Sequence, residues 1–302
     1  MLIHQVSKHN DRSRAVNAGM AFSKLSDDEQ LIICYELCDP LHPVIAINFF
    51  SASKEVWVLT NEPRRQLKAD NKVAALFARN HLTPLQLSSI PRFENDQGVC
   101  AFLRTTTLIS IWTNDHQCKR IDTEDLALLG KLGSFLPCLE RLYVSAPGTG
   151  LDSITQFAEK LSAGALPAMT SLDISHTPMQ DEGALALAAA VGRGAMPRLS
   201  RLHLDTTGIG VAGLKDLAPV VQHLPDLKDL ALRGIPGSGD ERFAAIMALL
   251  ASQDGEQGIE QLDLRYTNIT TAEFHTLVTA AIGGTLPRLQ TICTSMGSWI
   301  RA

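Results

Sequence analysis

The residues that could carry catalysis are scattered rather than gathered into a recognisable motif. The chain has nine histidines, but no H-E-x-x-H, no P-loop G-x-x-x-x-G-K-[ST] and no G-x-S-x-G sequence. The segment GIGVAG at 208–213 contains a G-x-G, but it lies in a loop after a predicted strand, where it indicates a turn rather than a nucleotide site. A catalytic base needs a nucleophile and an orienting group, and neither can be placed beside His203 or His176. The pattern favours a protein that is not an enzyme and holds no cofactor or metal ion.

The cysteines predict free thiols. None belongs to a C-x-x-C pair, and the six lie at positions 34, 38, 100, 118, 138 and 293. Cys34 and Cys38 are four residues apart, so they would share one face of a helix. A redox pair is the weaker alternative, because that separation in a helix lies near the upper limit of what a disulfide spans.

Composition restricts the partners. The 302 residues include 27 Lys and Arg against 32 Asp and Glu, a formal net charge of −5 at pH 7. A dedicated nucleic-acid binder is normally strongly basic. No apolar run approaches the ~18 residues of a membrane span, and the first residues lack the apolar core of a signal peptide. We therefore expect an intracellular protein, cytoplasmic with a nuclear location left open, that binds neither nucleic acid nor membrane.

The elements that would position any site form an internal repeat. Five segments match one another: LPCLERLYV, LPAMTSLDI, MPRLSRLHL, LPDLKDLAL and LPRLQTICT, with GIEQLDL as a sixth that lacks the Leu-Pro head. Their anchor residues recur at spacings of 30, 30, 28, 32 and 30. The anchors are Leu142, Leu172, Leu202, Leu230, Leu262 and Ile292. This regularity predicts a stack of similar structural units.

Each unit reads as a strand followed by a helix. The L-x-L pattern alternates with period two, so Leu202 and Leu204 point inward while their neighbours point outward. About ten residues later an Ala- and Leu-rich stretch predicts a helix. Gly164, Gly194 and Gly284 fall where a left-handed stop is needed. Threonines five residues after the anchor are predicted to hydrogen-bond the turning backbone, namely Thr177, Thr207 and Thr267.

A single unit cannot bury its own apolar face, so the units must stack. The pattern resembles the leucine-rich repeat family, and its period with a full helix resembles the ribonuclease-inhibitor-like class. The resemblance covers residues 105–302 and implies an α/β fold. That fold is a right-handed solenoid, with parallel strands on the concave face and helices on the convex face. A degenerate unit before the first clear repeat would act as an N-terminal cap, whereas no polar cap is evident at the C-terminal end.

Alternation along the strands places every second side chain on the predicted concave face. These positions form a strip of mixed charge with an acid in the middle of several strands, suited to a protein or peptide that carries basic groups. An ordinary solvated sheet face would hold polar residues equally well. The predicted partner-binding residues are Arg141, Tyr143, Asp173, Ser175, Arg201, His203, Asp205, Asp229, Arg233, Asp263 and Arg265.

The N-terminal part has a different pattern. Residues 1–21 are polar and predict a disordered tail, followed by an all-α module over 22–80 and a linker over 81–104. Ser26 and Glu29 form a capping-box signature ahead of an aliphatic helix. Further helices are predicted for VIAINFF and SKEVWVLT, in a small bundle around Ile32, Ile47 and Trp57. PRRQLKADNKVAALFARN predicts an amphipathic helix in the residues that connect the two modules.

This module resembles the F-box. The matching positions are Leu25, Leu31, Ile32, Leu37, Pro40, Val44, Ile47, Ser53, Trp57 and Leu59, whereas Ser26 stands where that family usually has Pro. The resemblance implies docking on the adaptor subunit of an SCF ubiquitin ligase. The implied adaptor-binding residues are Leu25, Leu31, Pro40, Val44, Ile47 and Trp57. The alternative is that these residues form only the core of a helical cap.

Taken together, the patterns favour non-enzymatic recognition of a protein by the concave face, as the substrate receptor of an SCF-type ubiquitin ligase. The alternative is a GTPase-activating or scaffold leucine-rich repeat protein without a ligase role. The repeats resemble those of such GTPase activators, which need no F-box. A complete nucleotide-binding sensor is disfavoured by the missing nucleotide motif.

Overall fold

The structure of the chain is a computed structural model. It describes residues 25–26, 29–30, 33, 37–38, 43–50, 60–81, 106–112, 122–236, 239–251 and 258–301. Contacts divide the chain into two units, 1–79 with 88–103 and 80–87 with 104–302. The predictions of a tail over 1–21 and of a linker over most of 81–104 lie outside the described residues.

The capping box of the N-terminal unit is present as predicted. The backbone N–H of Ser26 donates to the Glu29 carboxylate at 2.9 Å, and the Glu29 N–H donates to the Ser26 hydroxyl at 3.4 Å. These bonds satisfy donors that the first turn of a helix leaves unpaired. Two longer helices follow, α1 over Pro43–Phe50 and α2 over Asn61–His81.

The core of this unit differs from the predicted one. Ile47 was expected to pack inside the bundle, but its side chain is 45% exposed. Helix α1 instead buries the neighbouring positions 46, 49 and 50, because these three share one face of a helix. The buried cluster comprises Leu37, Ala46, Phe49, Phe50 and Leu67, with Leu25, Ile33 and Cys38 packed against it.

The second unit alternates strands and helices. A strand β1 over Leu108–Trp112 precedes α3 over Thr123–Leu132, and a short 3-10 turn follows at Gly133–Phe135. The remaining elements are β2 Arg141–Ser145, α4 Ser153–Lys160, β3 Ser171–Asp173, α5 Gln180–Gly192, β4 Arg201–His203, α6 Val211–His223, β5 Asp229–Ala231, α7 Asp240–Ala251, β6 Gln261–Asp263, α8 Thr271–Ile282, β7 Thr291–Thr294 and β8 Gly297–Ile300.

The eight strands of the described residues form one sheet in sequence order. Strands β1 to β7 are parallel, and the predicted anchors face one another directly, from Leu142 opposite Leu172 to Leu262 opposite Ile292. Every anchor is at most 1% exposed. Burying each leucine contributes about 1.5–3 kcal/mol relative to leaving it in water. The regular spacing of the anchors along the sequence thus produces a continuous row of buried side chains across the sheet.

Both ends of the sheet depart from the repeat pattern. The stretch before the first clear repeat lacks the L-x-x-L-x-L sequence, yet β1 pairs in register with β2 and places Ile109 beside Leu142. At the other end, β8 is antiparallel to β7, which adds a hairpin to a sheet predicted to be parallel. Isoleucine in β1 supplies the same buried, branched side chain as the leucine anchors.

The repeat turns use the predicted residues. Gly194 has φ +86°, a conformation that glycine adopts without a steric penalty. The Thr177 hydroxyl accepts the Ala146 N–H at 3.1 Å and donates to the Val144 carbonyl at 3.2 Å, joining two consecutive repeats. Thr207 donates to Leu204 within its own turn. Since Thr177 is fully buried, its hydroxyl satisfies backbone groups that water cannot reach.

We expect Thr177→Val to destabilise the solenoid unit by about 1–3 kcal/mol, because it leaves the Ala146 N–H buried without an acceptor. Urea unfolding followed by circular dichroism measures the shift of the midpoint. The matched control is Thr276→Val, an exposed helix position whose hydroxyl bonds only the preceding turn, with an expected change within about 0.5 kcal/mol. Equal effects of the two substitutions would contradict the assignment.

Candidate functional site

The accessible face of the sheet carries three rows of side chains, which we call the strand face. In-register pairing aligns the first row, Arg141, Ser171, Arg201, Asp229, Gln261 and Thr291. The second row is Tyr143, Asp173, His203, Ala231, Asp263 and Cys293. The third row lies two residues further along each chain segment and includes Ser175, Asp205, Arg233 and Arg265. Parallel strands in register therefore place side chains from repeats about 30 residues apart next to one another.

One charged cluster spans β3, β4 and β5. The His203 imidazole contacts the Asp173 carboxylate at 3.7 Å and the Asp229 carboxylate at 3.4 Å. The contacts with the Asp173 and Asp229 carboxylates raise the pKa of His203 to about 9, in spite of the opposing effect of burial. Burial alone would raise the pKa of Asp173, but the contact with His203 and the hydrogen bonds from Ser175 outweigh burial and lower it. The imidazole is therefore protonated at neutral pH.

A second charged cluster centres on Asp263 of β6. Its other members are Asp205, Arg233 and Arg265, which lie just after β4, β5 and β6. The Arg233 Nε donates to the Asp263 carboxylate at 2.7 Å and lies 3.5 Å from Asp205. The Arg265 guanidinium donates to the same Asp263 carboxylate at 2.6 Å. Burial disfavours the charged form of Asp263, but the bonds from Arg265 and Arg233 outweigh it and lower its pKa. Burial raises the pKa of Asp205, although the Arg233 backbone N–H donates to it at 2.8 Å.

These contacts change the electrostatic character predicted from the sequence. The pattern suggested acids that would face a basic partner, whereas each of the four aspartates contacts a cation of the same chain. Asp205 is also only 9% exposed. The acids therefore fix the positions of His203, Arg233 and Arg265 instead of projecting unpaired negative charge.

A small depression lies on the strand face, over β4 to β7. Ala231 forms its floor, since this short side chain is 3% exposed and lies between the longer His203 and Asp263 in the second row. The lining comprises His203, Asp229, Ala231, Arg233, Gln261, Leu262, Asp263, Thr291 and Cys293. The charged members of this set are among the residues that the sequence predicts on this face. The signal for the depression in the sequence is an alanine among larger residues, and the prediction of the site did not include it.

The predicted adaptor-binding residues are only partly described. Leu25 is half-buried against the core of the N-terminal unit, and Ile47 is exposed on α1. Val44 lies in α1, but its side chain is not among the described ones. Leu31, Pro40 and Trp57 lie outside the described residues.

The described cysteines are free thiols. Cys38, Cys138 and Cys293 form no disulfide, whereas Cys34 lies outside the described residues. Burial, with a smaller effect of Asp70, raises the pKa of Cys38 to about 11, and its thiol points to the Pro63 carbonyl at 3.8 Å. A thiol with so high a pKa is a poor nucleophile at neutral pH.

The described residues contain neither a metal-binding cluster nor a membrane-spanning helix. In this part of the chain, no group of three or more His, Cys, Asp or Glu side chains could hold a metal ion. Nor is any described helix both long and apolar enough to cross a membrane.

Comparison with known families is informative for one repeat. Residues 166–188 match a family model described as a leucine-rich repeat, and they contain β3 and the start of α5. The same strand–helix unit recurs on both sides of this segment. These findings support a leucine-rich repeat protein. A search of curated proteins finds no match. The leucine-rich repeat is a module typical of protein–protein interaction, and the strand face is an accessible surface that the repeats build together.

The ionisation of His203 can be tested directly. We expect NMR titration to give its imidazole a pKa near 9, because two carboxylates hold the proton. A pKa raised above the unfolded value of about 6.5 stabilises the fold below pH ~6.5, and this contribution is lost as the pH rises through 9. His203→Gln should therefore reduce the dependence of the free energy of unfolding on pH between these limits.

Two substitutions serve as comparisons for this titration. Asp173→Asn should lower the pKa of His203, whereas Asp240→Asn, at an exposed position on α7, should leave it unchanged. A pKa of His203 at or below 6.5 in the wild-type protein would contradict the ion-paired arrangement.

Proposed function

We propose that this is a non-enzymatic recognition protein that binds a protein partner on the strand face, the predicted concave surface. The observation that carries the proposal is the depression above Ala231, which is surrounded by hydrogen-bonding groups already held in place. Such a depression accommodates a single partner side chain, and binding energy commonly concentrates at sites of this kind.

Preorganisation supports this assignment. Arg233 and Arg265 are both held by Asp263, and His203 is held between Asp173 and Asp229. Long side chains normally lose conformational entropy when they become ordered at an interface. Ion pairs within the sheet order these side chains before any partner arrives, so less free energy is lost on binding.

Filling the depression tests the proposal. We expect Ala231→Trp to weaken capture of a bound partner at least tenfold, as measured by crosslinking and quantitative mass spectrometry against the wild-type chain. Ala189→Trp introduces the same side chain at an exposed position of α5 and should leave capture unchanged. Circular dichroism verifies that both variants fold, and Ala231→Met provides a smaller replacement. Equal capture by Ala231→Trp and wild type would overturn the assignment of this surface.

We further propose that the N-terminal unit docks an SCF adaptor subunit, so that the solenoid presents a protein for ubiquitination. The observation that favours docking is Ile47, whose apolar side chain is 45% exposed although α1 buries Ala46, Phe49 and Phe50. An exposed isoleucine beside a packed aromatic core is available to fill an apolar groove on a partner.

Adjacent residues of α1 provide a matched test of docking. In a pull-down of the full chain with purified adaptor, Ile47→Glu should abolish binding, because it places a charge in an apolar contact. Asn48→Glu adds the same charge at the neighbouring exposed position and should retain binding. If the folded wild-type chain does not bind the adaptor, the ligase role fails and a scaffold or GTPase-regulating role becomes the better hypothesis.

A further inference from the structure

The unpaired charge of the strand face is positive, although the sequence pattern suggested the opposite. Its four aspartates contact His203, Arg233 or Arg265 within the chain. Arg141 and Arg201 are exposed, and within the described part of the chain neither guanidinium forms an ion pair or hydrogen bond. A partner therefore meets two uncommitted arginines.

The two arginines are arranged to share one anionic group. Arg141 on β2 and Arg201 on β4 lie directly on either side of Ser171 on β3. Neighbouring strands are about 4.8 Å apart, so the two Cα atoms lie roughly 10 Å from each other. Ser171 has a short side chain, which neighbouring atoms cover to an exposure of 4%, so it does not project between the two arginines. Two flexible arginine side chains can therefore converge over that serine.

The surrounding charges support an anion at this place. Protonated His203 follows Arg201 by two residues on β4, and Tyr143 takes the corresponding position on β2. The nearest acid on β3 is Asp173, which accepts the Ser175 N–H at 3.0 Å and contacts His203. Asp229, beside Arg201 in the first row, also contacts His203. Three cations thus stand against two acids that are already engaged.

We propose that Arg141 and Arg201 bind an acidic side chain of the protein partner, seated above Ser171. The proposal rests on the strand face being the partner-binding surface. A guanidinium is planar and pairs with a carboxylate through two parallel hydrogen bonds, so the arginines confer specificity as well as attraction.

The geometry also defines a spacing within the partner. Ala231 lies two strands away from Ser171 and two residues further along the strand direction. With about 4.8 Å between strands and about 3.3 Å per residue, the two positions are roughly 12 Å apart. An extended segment covers that distance in three to four residues. The partner therefore carries its acid three or four residues from the side chain that enters the depression.

A random peptide library displayed on phage and selected on the full chain tests this inference. We expect the selected peptides to be enriched in Asp or Glu at one position, three or four residues from a second preferred position. The double variant R141Q/R201Q should bind these peptides at least tenfold more weakly, because it removes both charge-assisted contacts. R198Q/R288Q removes two exposed arginines from the segments before β4 and β7, and it should bind like wild type.

The outcomes distinguish this inference from the proposed function. In one outcome, Ala231→Trp abolishes binding of the selected peptides, but the peptides are rich in Lys or Arg, or R141Q/R201Q does not weaken their binding. That outcome would overturn the arginine site and leave recognition by the strand face intact. A selection that yields no peptide sensitive to Ala231→Trp would overturn both. A single-stranded oligonucleotide that binds more tightly than the acidic peptides and depends on the same arginines would assign the site to phosphate, and it would likewise overturn the proposal.

Discussion

Mutual burial of the anchor residues is the interaction on which the solenoid depends. Leu142, Leu172, Leu202, Leu230, Leu262 and Ile292 form one row across six strands, and none is more than 1% exposed. No single repeat could bury its own anchor, because the neighbours on both sides supply the covering atoms. A change at one anchor therefore affects the register of the adjoining strands as well as its own repeat.

That row also determines which side chains form the strand face. Because the anchors lie in register and strands alternate with period two, the residues flanking each anchor must line up on the other side of the sheet. The buried threonine turns strengthen the same alignment, since Thr177 bonds the backbone of the preceding repeat. The strand face is thus a direct geometrical consequence of core packing.

Charge on this surface is organised between repeats. Asp173, His203 and Asp229 come from the successive strands β3, β4 and β5. Asp263 on β6 contacts Arg233, which follows β5, and Arg265, which follows β6. Partly buried ion pairs of this kind contribute modestly to stability but hold side chains in defined positions. Arg141 and Arg201 form no such pair within the described part of the chain, and this arrangement of charge cannot be read from the composition of the strip.

The sequence by itself determined the repeat, its anchors, the left-handed glycine stops and the membership of the strand face, because all four follow from periodicity along one chain. It also predicted α2 and the capping box at Ser26, which depend on contacts within a few residues. Only the tertiary structure decided which acid pairs with which cation, where Ala231 leaves a depression, and that Ile47 faces outward. These features depend on neighbours from other elements, such as Asp229 beside His203, and no local pattern records the distance between them.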